Sequence, residues 1–139
     1  MLKTEYSLFT DGGSRGNPGN AAIGFVIYKN NEEIFKFKKF LGVCTNNIAE
    51  YTALIYALTY LNKQGIKDVT CYLDSELVVK QINGLYKVKN EKIKMYYGRI
   101  HFLKKEFNFI SFNHVLRNKN KIADKLVNEA LDEVENDSK

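Results

Sequence analysis

Apolar residues along the chain fall into short blocks that divide it into strand-like and helix-like stretches. Tyr6 to Thr10 reads as a strand, and Ala22 to Tyr28 is a continuous apolar run of the kind a buried strand carries. Ile34 to Leu41 partly alternates, with Phe35 and Phe37 set against Lys36 and Lys38, and Asn30-Asn31 before it suits a hairpin turn. From Asn47 to Asn62 the period changes: Ala49, Ala53, Ala57 and Leu61 recur every four residues, which predicts a helix. A strand over Val69 to Leu73 follows, then a short helix over Ser75 to Ile82 ending near Asn83-Gly84. Lys92 to Lys105 reads as a third helix and Phe107 to His114 as the last strand. The final helix runs from Asn120 to about Val134, with Ala123, Leu126, Val127 and Ala130 on one face. Three strands followed by alternating helices and strands predict an α/β protein, a mixed sheet with helices packed on it.

Length and composition fit this layout. A chain of 139 residues with 45% hydrophobic content can bury one proper core, so residues 1–139 are expected to form a single domain. No apolar run approaches the roughly 20 residues of a membrane span, and the first residues lack the apolar stretch of a signal peptide. The expected setting is therefore cytoplasmic, without a membrane partner. Cys44 and Cys71 are isolated and lack metal-ligand spacing, so they read as free thiols. Charge is unevenly distributed. Lys80 to Lys105 holds eight Lys or Arg and one acid, a local +7 in a chain of net +5. Such a stretch is either a solvated face or the footprint of a polyanion. Residues 132–139 carry four acids and one Lys and read as a frayed acidic end.

Four acids stand out by context: Asp11, Glu50, Asp74 and Asp124. Each has an ordinary reading. Asp11 suits a turn, Glu50 the capping-box partner of an Asn47 cap, Asp74 a helix N-cap, and Asp124 a solvated helix edge. Asp is nevertheless a poor residue inside a helix. Asp11 and Asp74 also sit at the ends of strand-like runs. Should the fold bring the four together, two carboxylates about 4 Å apart would repel by roughly 4 kcal/mol at an effective dielectric of about 20. Divalent cations are the natural counter-charge, and paired Mg²⁺ ions serve phosphodiester hydrolysis.

The segments around these acids are Phe9 to Gly19 (FTDGGSRGNPG), Thr45 to Leu54 (TNNIAEYTAL), Asp74 to Val79 (DSELVV) and Asn120 to Leu126 (NKIADKL). Taken in this order the chain resembles the type 1 ribonuclease H family, endonucleases that cut the RNA strand of an RNA–DNA hybrid. The resemblance runs from about Tyr6 to Leu131. It implies a ribonuclease H-like fold, a five-stranded mixed sheet whose first three strands are antiparallel and whose last two run parallel to the first, flanked by helices. It also implies a mechanism with two Mg²⁺ ions, Mn²⁺ being a substitute. Asp11 would hold both ions, Asp124 the nucleophile side, and Glu50 with Asp74 the leaving-group side. The products would have 5′-phosphate and 3′-hydroxyl ends. Gly12, Gly13 and Asn17 would lie against the RNA strand. Thr45 would seat a DNA-strand phosphate, and Asn46 and Asn47 would read the minor groove, where 2′-hydroxyls distinguish RNA from DNA. Double-stranded RNA is a further candidate substrate, and a monomer is expected.

The chain departs from the family pattern in two places. Many members carry a His in the loop before the last Asp; here that loop is Val115 to Lys121 and has none, leaving Arg117 or Lys119 as substitutes. Many also insert a Trp-rich basic handle, whereas this chain has no Trp. Lys87, Lys89, Lys92 and Lys94 are the candidates to grip the DNA strand in its place. His101 and His114 read as packing or surface residues. Two other readings stay open: a DNA-acting transposase or integrase of the same fold, usually marked by flanking DNA-binding segments, and a non-catalytic hybrid-binding module.

Overall fold

The computed structural model describes residues 4–137. Three strands open the chain: β1 (Tyr6–Gly16), β2 (Gly19–Lys29) and β3 (Glu32–Cys44). They pair antiparallel, with Tyr6 opposite Lys29 and Phe25 opposite Phe37. The turn between β2 and β3 uses Asn30 and Asn31 at φ 51° and 67°. Positive φ at both central positions is the signature of a type I′ hairpin turn, and Asn tolerates it. Helix α1 (Asn46–Lys63) follows, then β4 (Asp68–Leu73), α2 (Glu76–Ile82), α3 (Glu91–Lys104), β5 (Phe109–His114) and α4 (Lys121–Asp137). The sheet order is β3-β2-β1-β4-β5, with β1–β4 and β4–β5 parallel. This is the five-stranded mixed sheet that the resemblance implied.

The sheet has two covered faces. Leu8, Phe25 and Ile27 pack under Leu54, Leu58 and Leu61 of α1 and Ile100 of α3, all buried. On the other face Ala22 meets Val127, Ala130 and Leu131 of α4. Each of the fully buried leucines is worth about 1.5–3 kcal/mol against exposure, so α1 is the main anchor of the fold. Among the described residues no helix is long and apolar enough to cross a membrane.

Three expectations change. First, β1 does not stop at Thr10 but continues as strand to Gly16, pairing with β2 as far as Gly16–Gly19. The glycine-rich segment is thus a hairpin arm rather than a loop. Its small residues hide the alternation that marks a strand, while ladder hydrogen bonds hold it. Second, residues 132–137, expected as a frayed acidic end, are the last turns of α4. Asp132 and Glu135 each lie 2.7 Å from the Arg15 guanidinium, and Glu133 pairs with Lys38. The basic partners come from distant strands and could not be read from the tail itself; Ser138 and Lys139 fall outside the described residues. Third, the segment before α4 contains a 3-10 turn, Arg117–Lys119.

Candidate active site

Strand pairing does most of the assembly. Parallel β1 and β4 set Thr10 opposite Leu73. The residue after each is an aspartate, so Asp11, midway along β1, and Asp74, just past the end of β4, emerge side by side where the parallel pairing ends. Glu50 comes from the second turn of α1. That helix can approach because residue 12 is glycine: a Cβ there would collide with the Ala49 carbonyl. Carboxylate oxygens of Asp11, Glu50 and Asp74 all lie within 4.8 Å of one another. Asp124, in the first turn of α4, lines the same cleft of about 470 Å³. It reaches Asp11 closely enough to share a hydrogen bond when one of the two is protonated. Gly24, the strand partner of Asp11, admits α4 as Gly12 admits α1. A Cβ on Gly24 would come 2.6 Å from Leu126 Cβ and 2.7 Å from the Ala123 carbonyl oxygen.

The ordinary readings of Glu50 and Asp74 fail on the cap geometry. Thr45, not Asn47, caps α1, its Oγ1 accepting from the Ile48 amide at 3.2 Å. Glu50 therefore lies too far along the helix to close a capping box. Ser75 caps α2, so the Asp74 carboxylate is not spent on the cap and lines the cleft. Asp11 and Glu50 are only 2% and 8% exposed. Burial and the neighbouring Asp74 carboxylate push Asp11 up to about 8. Burial, with Asp11 and Asp74 beside it, likewise holds Glu50 well above the usual carboxylate range. The cation facing them is Arg117, whose guanidinium opposes the field of all four acids and lies 3.2 Å from Asp124 Oδ1.

Asp11 Oδ1 is buried and, among the described residues, has no hydrogen-bond partner. An unpaired, acceptor-only oxygen beside two further carboxylates is a strained arrangement for a protein alone. A hard divalent cation fits it, because an all-oxygen, anionic donor set suits Mg²⁺ or Mn²⁺.

The expected substrate-contacting residues divide between this cleft and a neighbouring one. Gly12, Gly13, Asn46 and Arg117 line the carboxylate cleft. Asn17, Thr45 and Asn47 line a second cleft of about 430 Å³, together with Asn90 and Lys92. The start of α1 separates the two. Asn17 Oδ1 accepts from the Asn46 amide at 3.0 Å, and Asn46 Oδ1 accepts from Ser14 at 2.8 and 3.0 Å. These two side chains therefore brace the β1–β2 hairpin against α1, which leaves their amide NH₂ groups for any ligand. Lys87 and Lys89 lie between α2 and α3, and neither lines the two clefts. Lys94 pairs with Glu91 at 3.1 Å. His114 ends β5 with Nδ1 3.9 Å from Glu76 Oε2, and the His101 ring packs on Tyr97. A larger hollow of about 560 Å³, lined by Phe9, Tyr28 and Tyr72 among others, holds no carboxylate.

Two residues of the site were not singled out from the sequence. Arg15 lines the cleft while bound to α4. Asn120 is 1% exposed and donates to Asp74. Proximity to Asp11 and Asp124 along the chain was the only signal available for either.

Comparison with known proteins gives a consistent picture. A family model described as reverse transcriptase-like matches residues 9–130. The Bifunctional protein Rv2228c of Mycobacterium tuberculosis is 39% identical over 124 residues, covering 88% of this chain and 34% of that protein. Ribonuclease HI of Halobacterium salinarum is 40% identical over 126 residues, covering 90% of this chain and 63% of the relative. The chain thus spans about a third of the mycobacterial relative and under two thirds of the archaeal one. The crystal structure of RNase H1 from the same archaeon superposes at a TM-score of 0.90 with 38% identity, covering 93% of this chain and 98% of that one. LC11-RNase H1, isolated from compost, was solved in complex with an RNA/DNA hybrid. It matches at a TM-score of 0.89 and 41% identity, covering 94% of this chain and 99% of that one.

Proposed function

The chain belongs to the ribonuclease HI family, and from that premise we propose that it is a metal-dependent endonuclease hydrolysing the RNA strand of RNA–DNA hybrids with two Mg²⁺ ions. The proposed products have 5′-phosphate and 3′-hydroxyl ends. The observation that carries the reading is the meeting of Asp11, Glu50 and Asp74 oxygens within 4.8 Å, with one buried Asp11 oxygen unpaired. Support for the substrate comes from LC11-RNase H1, which was solved with such a hybrid.

Asp11, Glu50, Asp74 and Asp124 would hold the ions. When bound, they would supply an activated water and charge stabilisation for the leaving oxygen. The protein's own residues do the rest. Gly12 and Gly13 keep the backbone of β1 bare at the cleft, so a strand of RNA can approach it closely. Arg117 offers charge and hydrogen bonds to a phosphate but stays protonated, so it cannot shuttle a proton. Thr45 and Asn47 line the adjoining cleft with a hydroxyl and an amide suited to the second strand. Lys92 brings a positive charge there.

The test is cleavage of an end-labelled hybrid with and without Mg²⁺, scored beside DNA duplex, double-stranded RNA and single-stranded RNA. Metal-dependent cutting of the RNA strand of the hybrid, with phosphate at the new 5′ end, is expected. Equal cutting of all-DNA duplex would favour the transposase-like reading. Hybrid binding without cleavage in any metal would favour the binding module.

A further inference from the structure

One buried side chain touches the support of three of the four acids. The Asn120 amide nitrogen donates to the Thr10 carbonyl at 2.8 Å and to Asp74 Oδ2 at 3.2 Å. Its backbone carbonyl accepts from the Asp124 amide at 3.1 Å. Thr10 is the residue before Asp11. A single residue therefore ties together the strand that presents Asp11, the carboxylate of Asp74 and the helix turn that presents Asp124.

The amide has only one workable orientation. Both side-chain contacts are oxygen acceptors, so the NH₂ group must face them and its two hydrogens are both used. Flipping it would set Oδ1 against two oxygens. Oδ1 itself is buried and has no partner among the described residues. A buried polar group left half-satisfied costs stability. Leu or Ile would fill such a space more cheaply if packing were the only requirement.

We propose that Asn120 is a positioning residue of the metal site, fixing the Asp74 rotamer and the start of α4 so that Asp74 and Asp124 face Asp11 at a spacing a divalent ion can bridge. The inference rests on the nuclease reading and deepens it. Bound to the Asn120 NH₂ group through Oδ2, Asp74 is held in one rotamer with Oδ1 left for the cation. Outer partners of metal ligands typically contribute 10- to 100-fold in metal affinity or activity.

The experiment uses Asn120→Ala and Asn120→Asp in the full chain. Mg²⁺ and Mn²⁺ are titrated into chelator-treated protein by calorimetry, and cleavage of hybrid is followed against metal concentration. For Asn120→Ala the expected result is metal affinity at least about tenfold weaker. The half-saturating metal concentration for cleavage should rise in parallel, and KM for hybrid at saturating metal should stay within about twofold, since no substrate contact is removed. Asn120→Asp keeps the shape but loses donor capacity beside two oxygens, so it should be at least as impaired. Unchanged metal affinity with only a lower melting temperature would overturn the inference and leave Asn120 a packing residue. If Asn120→Ala does not fold, the isosteric Asn120→Asp decides; failure of both to fold assigns Asn120 to the fold and overturns the positioning role. The nuclease reading fails separately, on a wild-type protein that does not cut hybrid.

Discussion

At the scale of single residues, the site is a concentration of negative charge that the protein alone does not neutralise. Asp11 is the test case, because burial and Asp74 raise it to about 8 against an ordinary value of 3.8. A carboxyl whose folded value is raised favours the fold while it is protonated. That contribution is present in full below about pH 4 and is lost as the pH rises through about 8. Metal-free protein should therefore melt at a lower temperature at pH 8 than at pH 6, as far as this site is concerned. Asp11→Asn should flatten that dependence and abolish cleavage while the protein stays folded. Melting curves in chelator across this range check the first point, and hybrid cleavage checks the second; a steep slope surviving in Asp11→Asn would mean that other groups dominate. Metal binding needs the ionised acids, so metal affinity should run the opposite way and strengthen with pH. Arg117 belongs to the same balance. Arg117→Ala should lower turnover by roughly one order of magnitude, about 1.4 kcal/mol, far less than loss of Asp11. Steady-state kinetics on hybrid would show it, and a loss as deep as that of Asp11→Asn would make Arg117 indispensable instead.

At the scale of elements, two glycines decide how close the helices come. Gly12 lies against the α1 backbone and Gly24 against that of α4. Gly24→Ala should push α4, and Asp124 with it, away from Asp11. Overpacking of this kind typically costs 1–3 kcal/mol in stability. Cleavage in Gly24→Ala should fall further than the lost stability explains, because chemistry depends on ångström-scale placement; melting and kcat measured on one preparation separate the two. The elements themselves were largely legible in the sequence. A four-residue period marked α1, partial alternation marked β3, and apolar runs with their breaks placed the other strands and helices, with ends displaced by up to six residues. The misreadings have physical causes. Gly12, Gly13 and Gly16 carry no side chain to alternate, so the second half of β1 looked like loop. Asn47 was read as the cap of α1, but Thr45 caps as well by residue type and is the one the fold uses. Asp74 next to Asp11 required the strand order, which came from the resemblance and not from the pattern. Asn120 was invisible because its role depends on Thr10 and Asp74, contacts no local pattern records.

At the scale of the whole molecule, charge is partitioned. The acids of α4 are met by Arg15 and Lys38, while Lys87 and Lys89 lie in the segment before α3 and Lys92 lines the second cleft. Hybrid binding should therefore weaken steeply with salt, with each phosphate contact contributing about 0.9 to the log–log slope on B-form DNA. Replacing Lys87, Lys89 and Lys92 with Ala should reduce that slope by roughly 2–3 and raise KM more than it lowers kcat. Binding measured across salt concentrations checks this, and an unchanged slope would place the DNA-strand grip elsewhere.

The parallel pairing of β1 with β4 has a consequence for how the protein comes into being. Asp11, Glu50, Asp74 and Asp124 lie far apart along the chain, and the last of them is carried by the last helix. A growing polypeptide on the ribosome cannot gather them until β4 has docked beside β1 and α4 has closed over β2. Translation intermediates and prematurely terminated products would therefore lack the full set of ligands. The proposed nuclease site would be complete only once both docking steps have taken place.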